Sequence, residues 1–174
     1  MIINEEPIPL SYEQLLDKPH DIMAGDATPT GGGAWHGSEY WSNPLPLHLQ
    51  DPQIPIHQKE FWVKIVAAKQ WGDLWSGRAV VLYCDNDSVV ETIDKRKPKD
   101  PMLLSLLREF LFIVVTKKFI PVVRKIDTKR NEIADFLSRR FDTEGASDIF
   151  KKFGLKNMSL VSPRTKFFDF SSDW

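Results

Sequence analysis

Short apolar stretches separated by glycine and proline occupy residues 21–47, and this pattern predicts a meander of three strands. The first strand ends at Asp26 after an apolar lead-in. The glycine-rich stretch at residues 31–33 predicts a tight reversal into a second strand, which we place at about 33–36. A third strand is expected at about 39–41, ahead of two prolines that stop it.

Apolar residues at spacings of three, four and seven predict one long helix over residues 56–75. Glu60 is expected in the first turn of this helix, and Gly77 follows its end. The next stretch, Ala79–Cys84, is continuously apolar and rich in β-branched residues, which is typical of a buried central strand. Asp85 directly follows that strand and is therefore expected at its exposed end.

The second half of the chain predicts three more helices and one more strand. A short helix begins with a capping-box-like stretch at residues 88–91, and Asp100 with Pro101 marks the start of the best-defined helix. A short strand at 119–126 and a final helix at 128–140 complete the pattern. The resulting order, β-β-β-α-β-α-α-β-α, predicts an α/β architecture with a mixed central sheet and helices on both of its faces.

We expect these elements to form one domain over residues 21–141, with less regular segments on either side. Residues 1–20 are rich in proline, contain one helical candidate at 11–16, and are expected to be an extension or linker. Residues 142–174 form a C-terminal tail with a helical candidate at 147–153. The aromatic end of this tail is too apolar to be left in solvent, so we expect it to dock on a neighbouring domain.

Composition excludes several classes of protein. The 174 residues are 42% hydrophobic and 11% aromatic, which excludes a disordered chain. The single cysteine, Cys84, excludes an internal disulfide framework and a cysteine-based zinc site. The longest apolar run, at 110–115, is too short to cross a membrane, and residues 1–10 do not resemble a secretory signal. We therefore expect an intracellular protein, in the cytoplasm or nucleus, with no membrane partner.

Charge divides the chain into two unequal halves. Residues 1–90 contain 5 Lys/Arg and 12 Asp/Glu, giving −7, whereas residues 91–174 contain 18 Lys/Arg and 12 Asp/Glu, giving +6. This asymmetry fits a protein in which one half supplies carboxylates for cations and the other supplies positive charge for a polyanion. Basic residues on solvated helix faces are the alternative explanation.

Four acidic residues are expected at comparable positions, at strand ends and helix starts: Asp26, Glu60, Asp85 and Asp135. Carboxylates that converge in this way suit a pair of Mg²⁺ ions, which Mn²⁺ can replace, because hard divalent cations prefer oxygen ligands. Two such ions about 4 Å apart can clamp an in-line phosphoryl displacement.

Each acidic residue taken alone has a simpler explanation. Asp26 could cap backbone groups of the following turn, and Glu60 and Asp135 could complement helix dipoles. Either Asp85 or Asp87 could be a helix cap, and we prefer Asp85 as the ligand because it directly follows the buried strand. These separate explanations do not account for four carboxylates at these intervals in this order of elements.

Several motifs together carry a family resemblance. They are Asp26-Ala27-Thr28 with the following glycine-rich turn and Ala34-Trp35, Lys59-Glu60, Trp71-Gly72 with Trp75-Ser76-Gly77, Cys84-Asp85-Asn86, and Asn131-Glu132-Ile133-Ala134-Asp135-Phe136-Leu137-Ser138-Arg139. Through them the chain resembles the ribonuclease H domain of a retroelement reverse transcriptase over about residues 21–141. The last motif is the most specific, because an Asn-x-x-Ala-Asp-x-Leu-Ser-Arg ending is typical of retrotransposon domains. DIRS-like elements look closest, with gypsy-like elements next.

The resemblance implies a ribonuclease H-like fold in which Asp26, Glu60, Asp85 and Asp135 match the acidic tetrad of the family. It implies endonucleolytic cleavage of the RNA strand of an RNA–DNA hybrid, leaving 5′-phosphate and 3′-hydroxyl ends. A covalently linked reverse transcriptase domain is the implied partner. One departure concerns turnover rate: many members carry a His shortly before the last Asp, and the corresponding loop, residues 124–130, has none.

Substrate binding is expected from basic residues, because a hybrid duplex is recognised mainly through its phosphates and 2′-hydroxyls. The candidates are Lys95, Arg96, Lys97, Lys99, Arg124, Lys125, Arg139 and Arg140. Each alone could be a solvated surface charge, so the prediction concerns the group. Asn86 and Asn131 are candidates to orient the acidic ligands through hydrogen bonds, although a turn or cap role explains both as well. Five tryptophans are expected in the core rather than as base-stacking platforms: Trp35, Trp41, Trp62, Trp71 and Trp75.

The leading hypothesis is therefore an active, Mg²⁺-dependent ribonuclease H. A second hypothesis is a catalytically silent module of the same fold that serves a retroelement polyprotein as a structural or nucleic-acid-binding part. The intact set of four carboxylates opposes this second hypothesis, and the missing His favours it. A third hypothesis, another nuclease or a transposase on the same fold, is disfavoured by the motif that ends at Arg139.

Overall fold

The computed structural model describes two stretches of the chain, residues 21–141 and 145–171. The predicted extension at residues 1–20, with its helical candidate at 11–16, lies outside the described residues. The described strands form one six-stranded sheet. They are β1 (Asp21–Ala27), β2 (Gly31–His36), β3 (Glu39–Pro44), β4 (Ala79–Cys84), β5 (Ile120–Lys125) and β6 (Ser159–Leu160).

Five α-helices accompany the sheet in the described part of the chain. They are α1 (Ile56–Trp71), α2 (Asp87–Lys95), α3 (Pro101–Lys117), α4 (Glu132–Arg139) and α5 (Ala146–Lys152). The start of α3 is as predicted, since Asp100 accepts a hydrogen bond from the Leu103 N–H at 2.7 Å and Pro101 opens the helix. None of the described helices combines the length and apolar character needed to cross a membrane.

The sheet is mixed, with strand order β5-β4-β1-β2-β3-β6. Strands β1, β2 and β3 form the predicted antiparallel meander, whereas β4 runs parallel to both β1 and β5. Placing β4 beside β1 requires the chain to cross over, and α1 makes that crossing. The carboxyl ends of β1 and β4 consequently meet at one edge of the sheet.

Helices cover both faces of the sheet, which confirms the predicted α/β architecture. Because successive residues of a strand point to opposite faces, Met23 packs into the larger core under α1, α2 and α3, whereas Ala24 packs on the face that carries α4. Four of the five tryptophans expected in the core are buried, and Trp35 is half-buried on the α4 face.

Two predicted helix boundaries are wrong. Helix α1 begins at Ile56 as predicted, although Glu60 is its fifth residue rather than part of its first turn. The helix ends at Trp71, and Trp75 reaches the core from the turn that follows. The predicted final helix is divided, because Thr128–Arg130 forms a separate 3₁₀ turn and Asn131, at φ −96° and ψ 29°, interrupts the helical path before α4.

Two glycines of β2 allow α4 to approach the sheet closely. A Cβ atom on Gly33 would lie 2.5 Å from the Cβ of Leu137, and one on Gly31 would lie 2.4 Å from the carbonyl oxygen of Ser138. Such contacts are too short for any side chain, so glycine is required here by the closeness of the helix rather than by a turn. Residues 31–33 were predicted to form a tight reversal, but β2 begins at Gly31 and the reversal is confined to the residues before it.

The described part of the C-terminal tail packs on this domain's own sheet. Strand β6 pairs in parallel with β3, and the ring of Phe150 in α5 lies 4.8 Å from that of Tyr40. Phe168 is buried against Trp41, with ring centroids 6.1 Å apart. Phe150 and Phe168 are therefore sheltered within this fold, whereas Phe153 and Phe170 are exposed. Docking of the tail on a neighbouring domain stays a prediction, and Trp174 lies outside the described residues.

Candidate active site

Three of the four predicted carboxylates converge at the sheet edge where β1 and β4 end. Asp26 lies near the end of β1, Asp85 directly follows β4, and Glu60 projects from α1. Carboxylate oxygens of all three lie within 4.8 Å of one another. We refer to Asp26, Glu60 and Asp85 as the carboxylate cluster.

The sheet topology explains why residues so distant in sequence meet. Parallel neighbours end at the same edge, so Asp26 and Asp85 are brought together by the pairing of β1 with β4. Helix α1 packs against β1 and β2 and presents Glu60 to that edge. Asp26 and Glu60 are 5% and 4% exposed, so these two carboxyls are shielded from water.

Glu60 is incompletely satisfied by protein groups. Its Oε1 accepts a hydrogen bond from the backbone N–H of Ala27 at 3.0 Å, whereas its buried Oε2 has no hydrogen-bond partner among the described residues. A buried carboxylate oxygen without a donor is unfavourable, and native structures rarely leave one without a reason. An unmet oxygen inside a group of three carboxylates is what a cation site requires.

Burial and mutual repulsion both disfavour ionisation within the carboxylate cluster. Burial raises the pKa of Glu60 well above its ordinary value, and the close contact with Asp26 raises it further. The pKa of Asp26 is raised by burial as well, and the nearby charge of Asp85 adds to that increase. The ammonium of Lys64 opposes both shifts.

The cluster fits a hard divalent cation. Its ligand atoms are all carboxylate oxygens, which Mg²⁺ and Mn²⁺ accept, and their mutual spacing allows one ion to contact all three residues. A cation would provide the missing partner for Glu60 Oε2 and would favour the ionised forms that burial disfavours. The arrangement can therefore bind a metal and activate a water or polarise a phosphate next to it.

Asp135, the fourth predicted carboxylate, is not a member of the cluster in the described structure. It lies in the first turn of α4, with 36% of its side chain exposed, and its Oδ1 accepts a hydrogen bond from Arg139 Nε at 3.0 Å. The guanidinium of Arg139 binds Asp135 in this structure, and its contact with substrate stays a prediction. Three of the four carboxylates thus meet, and the fourth is held by its neighbour on the same helix.

The two asparagines have different roles. Asn86 is the N-cap of α2, because its Oδ1 accepts the Val89 N–H at 3.2 Å. Asn131 makes no such cap; it is 2% exposed, and its Nδ2 donates to the carbonyl oxygen of Gly25 at 3.4 Å. Asn131 therefore contacts the strand residue that precedes Asp26, a position from which it can orient that carboxylate.

Most of the predicted basic residues are exposed near the ends of α2, β5 and α4. Lys95, Arg96, Lys97 and Lys99 are exposed around the C-terminal end of α2, as are Lys125, Arg139 and Arg140 at their positions, whereas Arg124 is half-buried. Lys125 lies closest to the cluster, because its Nζ donates to the carbonyl oxygen of Asp85 and also lies 3.0 Å from the carboxylate of Asp87. The guanidinium of Arg140 lies 5.9 Å from the ring centre of Phe136.

Two buried lysines on α1 were missed by the sequence analysis. Lys64 is 0% exposed and its Nζ donates to the carbonyl oxygen of Gly25 at 2.7 Å. Lys59 is 1% exposed and its Nζ donates to the carbonyl oxygens of Pro29 and Asp51 at 2.7 and 3.2 Å. The available signal was their place in a helix that is otherwise apolar on nearly every side, since lysine is almost never fully buried unless paired.

Comparison with known proteins identifies the fold. Neither a protein-family model nor a curated protein matches the sequence. Among solved structures, the N-terminal RNase H domain of a Mycobacterium tuberculosis protein is 17% identical, with a TM-score of 0.55 over 68% of this chain and 95% of that one. The foamy viral protease-reverse transcriptase in complex with an RNA/DNA hybrid is also 17% identical, with a TM-score of 0.54 over 81% of this chain and 22% of the viral one. The mixed sheet with helices on both faces is thus a ribonuclease H-like fold.

Proposed function

We propose that this chain is a divalent-metal-dependent endonuclease that hydrolyses the RNA strand of RNA–DNA hybrids. The observation that supports this most is the carboxylate cluster at the ends of two adjacent parallel strands of a ribonuclease H-like fold, with one buried oxygen of Glu60 lacking a partner. A core optimised only for stability would pair or remove such a group.

In this proposal Asp26, Glu60 and Asp85 hold Mg²⁺, and Mn²⁺ can replace it. A bound ion lowers the pKa of an attacking water and stabilises charge on the leaving 3′ oxygen. The chain's own contribution is to fix the ligands. Asp26 is fixed by its strand and Glu60 by the hydrogen bond from Ala27, while the buried position of both limits competition from bulk water.

Asp135 completes the proposed tetrad once it is released from Arg139. Its carboxylate is partly exposed on the first turn of α4, where it forms an exposed ion pair with Arg139. Exposed pairs of this kind contribute about 0.3–0.5 kcal/mol, which metal or substrate binding can readily exceed. A second ion bound between Asp135 and the cluster then gives the two-metal arrangement that the family resemblance implies.

Hybrid binding in this proposal depends on the exposed basic residues. Lys95, Arg96, Lys97 and Lys99 supply a concentration of positive charge at the end of α2, and Lys125 supplies another beside Asp85. Contacts of this type bind phosphates without reading sequence, which suits a nuclease that acts on any hybrid. Because the foamy viral structure was determined with an RNA/DNA hybrid, the same class of substrate is the natural one to test.

We further propose that the chain is the ribonuclease H part of a retroelement reverse transcriptase. The retrotransposon-type motif from Asn131 to Arg139 supports this context. A protease-reverse transcriptase is among the solved structures with similar folds, and this chain corresponds to about a fifth of it, 22%.

The test is a cleavage assay with hybrid labelled on the RNA strand, in Mg²⁺ and then in Mn²⁺. Asp26→Asn and Asp85→Asn are expected to reduce cleavage by on the order of a thousandfold or more, because each removes a charged ligand while preserving shape. Asp73→Asn is the matched control, since Asp73 is exposed beyond the far end of α1 and pairs with Lys117. Absence of cleavage in the unmodified protein, or equal cleavage by Asp26→Asn, would reject the nuclease proposal.

A catalytically silent module is the second candidate. Two observations favour it: Asp135 is paired with Arg139 outside the cluster, and no His occurs in residues 124–130. A silent module predicts no carboxylate-dependent uptake of Mg²⁺, so calorimetric titration of the unmodified protein and of Asp26→Asn separates the two candidates. Heat that Asp26→Asn abolishes supports the nuclease, and identical traces support the silent module.

A further inference from the structure

Lys64 is a fully buried cation beside the carboxylate cluster. It lies on α1, four residues after Glu60 and therefore on the same side of the helix, and it is 0% exposed. Its Nζ donates to the carbonyl oxygen of Gly25 at 2.7 Å. Burial of an ammonium is strongly unfavourable unless opposite charge and hydrogen bonds compensate for it, so the surroundings of Lys64 identify its role.

The carbonyl that Lys64 binds is at a break in the sheet. The Thr28 N–H donates to the Gly31 carbonyl oxygen, and residue pairs of the antiparallel β1–β2 ladder alternate between hydrogen-bonded and non-hydrogen-bonded from that pair onward. By this alternation Gly25 is in a non-hydrogen-bonded pair, so its N–H and carbonyl point away from β2. The pairing of β1 with β4 ends at Ala24. The Gly25 carbonyl therefore lies just past the last paired residue, at the place where the two strands separate toward the cluster.

Gly25 is held from both faces of the sheet. Lys64 reaches its carbonyl oxygen from α1, and Asn131 Nδ2 reaches the same oxygen, at 3.4 Å, from the residue that precedes α4. Gly25 is bonded to Asp26, so these two donors determine how the backbone presents the Asp26 carboxylate. Lys64 thus acts on Asp26 through the peptide unit that joins it to Gly25.

The charge of Lys64 also acts on the cluster. Its positive field lowers the pKa values of Asp26 and Glu60 against the opposing effects of burial. Lys59 provides an internal comparison, because it is equally buried on the same helix but binds loop carbonyls at Pro29 and Asp51. Of the two lysines, Lys64 is the one whose charge bears on the cluster.

We propose that Lys64 is both a positioning residue and a counter-charge for the carboxylate cluster. As a positioning residue, it fixes the end of β1 through the Gly25 carbonyl. As a counter-charge, it keeps the metal-free site folded and weakens the binding of divalent cations. The inference rests on the proposed metal site. It goes further in assigning a function to a buried cation that is not itself a ligand. Lys64 and a metal ion would both neutralise the Asp26 and Glu60 carboxylates, although they occupy different positions.

The test measures Mg²⁺ affinity by calorimetry in the unmodified protein, in Lys64→Met and in the matched control Lys59→Met. Loss of one nearby positive charge is expected to tighten Mg²⁺ binding about tenfold in Lys64→Met. Lys59→Met loses an equally buried ammonium that binds the Pro29 and Asp51 carbonyls instead, so its affinity should change less than about twofold. Equal or weaker binding by Lys64→Met, relative to the unmodified protein, overturns the inference.

Thermal unfolding gives a second measurement that does not depend on activity. In EDTA, Lys64→Met should unfold at a lower temperature than the unmodified protein. Saturating Mg²⁺ should restore a larger part of this lost unfolding temperature in Lys64→Met than in Lys59→Met. Lys64→Gln keeps a donor without the charge, so it should share the tighter binding of Lys64→Met if charge is responsible. Failure of both Lys64 variants to fold in saturating Mg²⁺ would overturn the counter-charge role, because a bound ion should replace it.

These results separate this inference from the proposed function. If the unmodified protein takes up no Mg²⁺ that Asp26→Asn abolishes, the metal site itself is rejected. If the unmodified protein binds Mg²⁺ and Lys64→Met binds it no more tightly, the metal site stands and the role of Lys64 is rejected.

Discussion

Two buried glutamates, Glu60 and Glu109, show how the same side chain serves different purposes in one fold. Glu109 on α3 is 0% exposed, and every interaction it makes is complementary: Lys69 Nζ lies 3.0 Å from its Oε1, and Ser171 donates to it from both its N–H and its hydroxyl. Glu60 is 4% exposed, accepts one backbone hydrogen bond, and has two carboxylates for neighbours.

The pKa values of the two glutamates shift in opposite directions. Burial alone would raise the pKa of Glu109, but Ser171 and Lys69 together bring it below its ordinary value. Burial raises the pKa of Glu60 well above its ordinary value, and the contact with Asp26 adds to that increase. The ionised form of Glu109 is therefore stabilised by the protein itself, whereas that of Glu60 requires something the protein does not supply. This contrast distinguishes a structural ion pair from a binding site.

The first prediction concerns Glu109→Gln, for which we expect the largest change in stability. The substitution removes the charge that compensates partly buried Lys69 and weakens the attachment of the C-terminal segment at Ser171, so the free energy of unfolding should fall by about 3 kcal/mol. Chemical denaturation measures this loss. Glu132→Gln is the control, because the pair of Glu132 with Lys152 is exposed and should contribute less than about 1 kcal/mol. Equal effects of the two substitutions would contradict the structural role of Glu109.

The second prediction is that Glu60→Gln increases the free energy of unfolding of the metal-free protein, whereas Glu109→Gln decreases it. Because the pKa of Glu60 is raised on folding, the folded state retains a proton that the unfolded state loses as the pH rises above about 4.5, so this group destabilises the fold at higher pH. Each pKa unit of separation corresponds to about 1.4 kcal/mol, or roughly 3 °C for a chain of this size.

Unfolding temperatures in EDTA at several pH values test this second prediction. At pH 8 in EDTA, Glu60→Gln should unfold at a higher temperature than the unmodified protein, and the difference should disappear as the pH falls below about 4.5, where Glu60 becomes protonated in both states. In saturating Mg²⁺ the order should reverse, because the variant lacks one ligand. A lower unfolding temperature for Glu60→Gln in EDTA at pH 8 would show that Glu60 is a structural group like Glu109.

The third prediction concerns Asp135, which belongs to neither class. Because it lies outside the cluster and pairs with Arg139, Asp135→Asn should leave Mg²⁺ binding by the free protein within about twofold of the unmodified value. Hybrid cleavage should nevertheless fall by roughly ten- to a hundredfold, since the proposed mechanism recruits Asp135 only in the complex with substrate. If Asp135→Asn abolished Mg²⁺ binding as completely as Asp26→Asn, the distinction between the three clustered carboxylates and the fourth would be wrong.

Local sequence patterns were sufficient to predict the core of the fold. The apolar run Ala79–Cys84 and the capped start at Asp100 identify a buried strand and a helix because burial and capping depend on neighbouring residues. The sequence also placed Asp26 and Asp85 at strand ends, which the parallel pairing of β1 with β4 brings together. These features were predictable because each has a local cause.

Features that depend on distant contacts were not predictable. The burial of Lys64 depends on the carbonyl oxygen of Gly25, 39 positions away in the chain. Residue spacing cannot decide whether Asp135 pairs with Arg139 or joins the carboxylate cluster. The glycines of β2 were assigned to a turn because the helix that requires them is about a hundred residues later in the chain. The docking of the C-terminal segment on its own sheet likewise depends on Tyr40 and Trp41, far back in the chain.

The close contact between β2 and α4 has a consequence for how this protein can vary. Helix α4, which carries Asp135, can lie this close to the sheet because Gly31 and Gly33 have a hydrogen atom where other residues have a side chain. These two glycines therefore determine the separation between Asp26 and α4. Even a methyl group there would act as a wedge, moving the helix outward while leaving the three clustered carboxylates in place. Changes in the distance between Asp135 and the carboxylate cluster, in natural or engineered variants, would therefore be expected first from substitutions at Gly31 and Gly33.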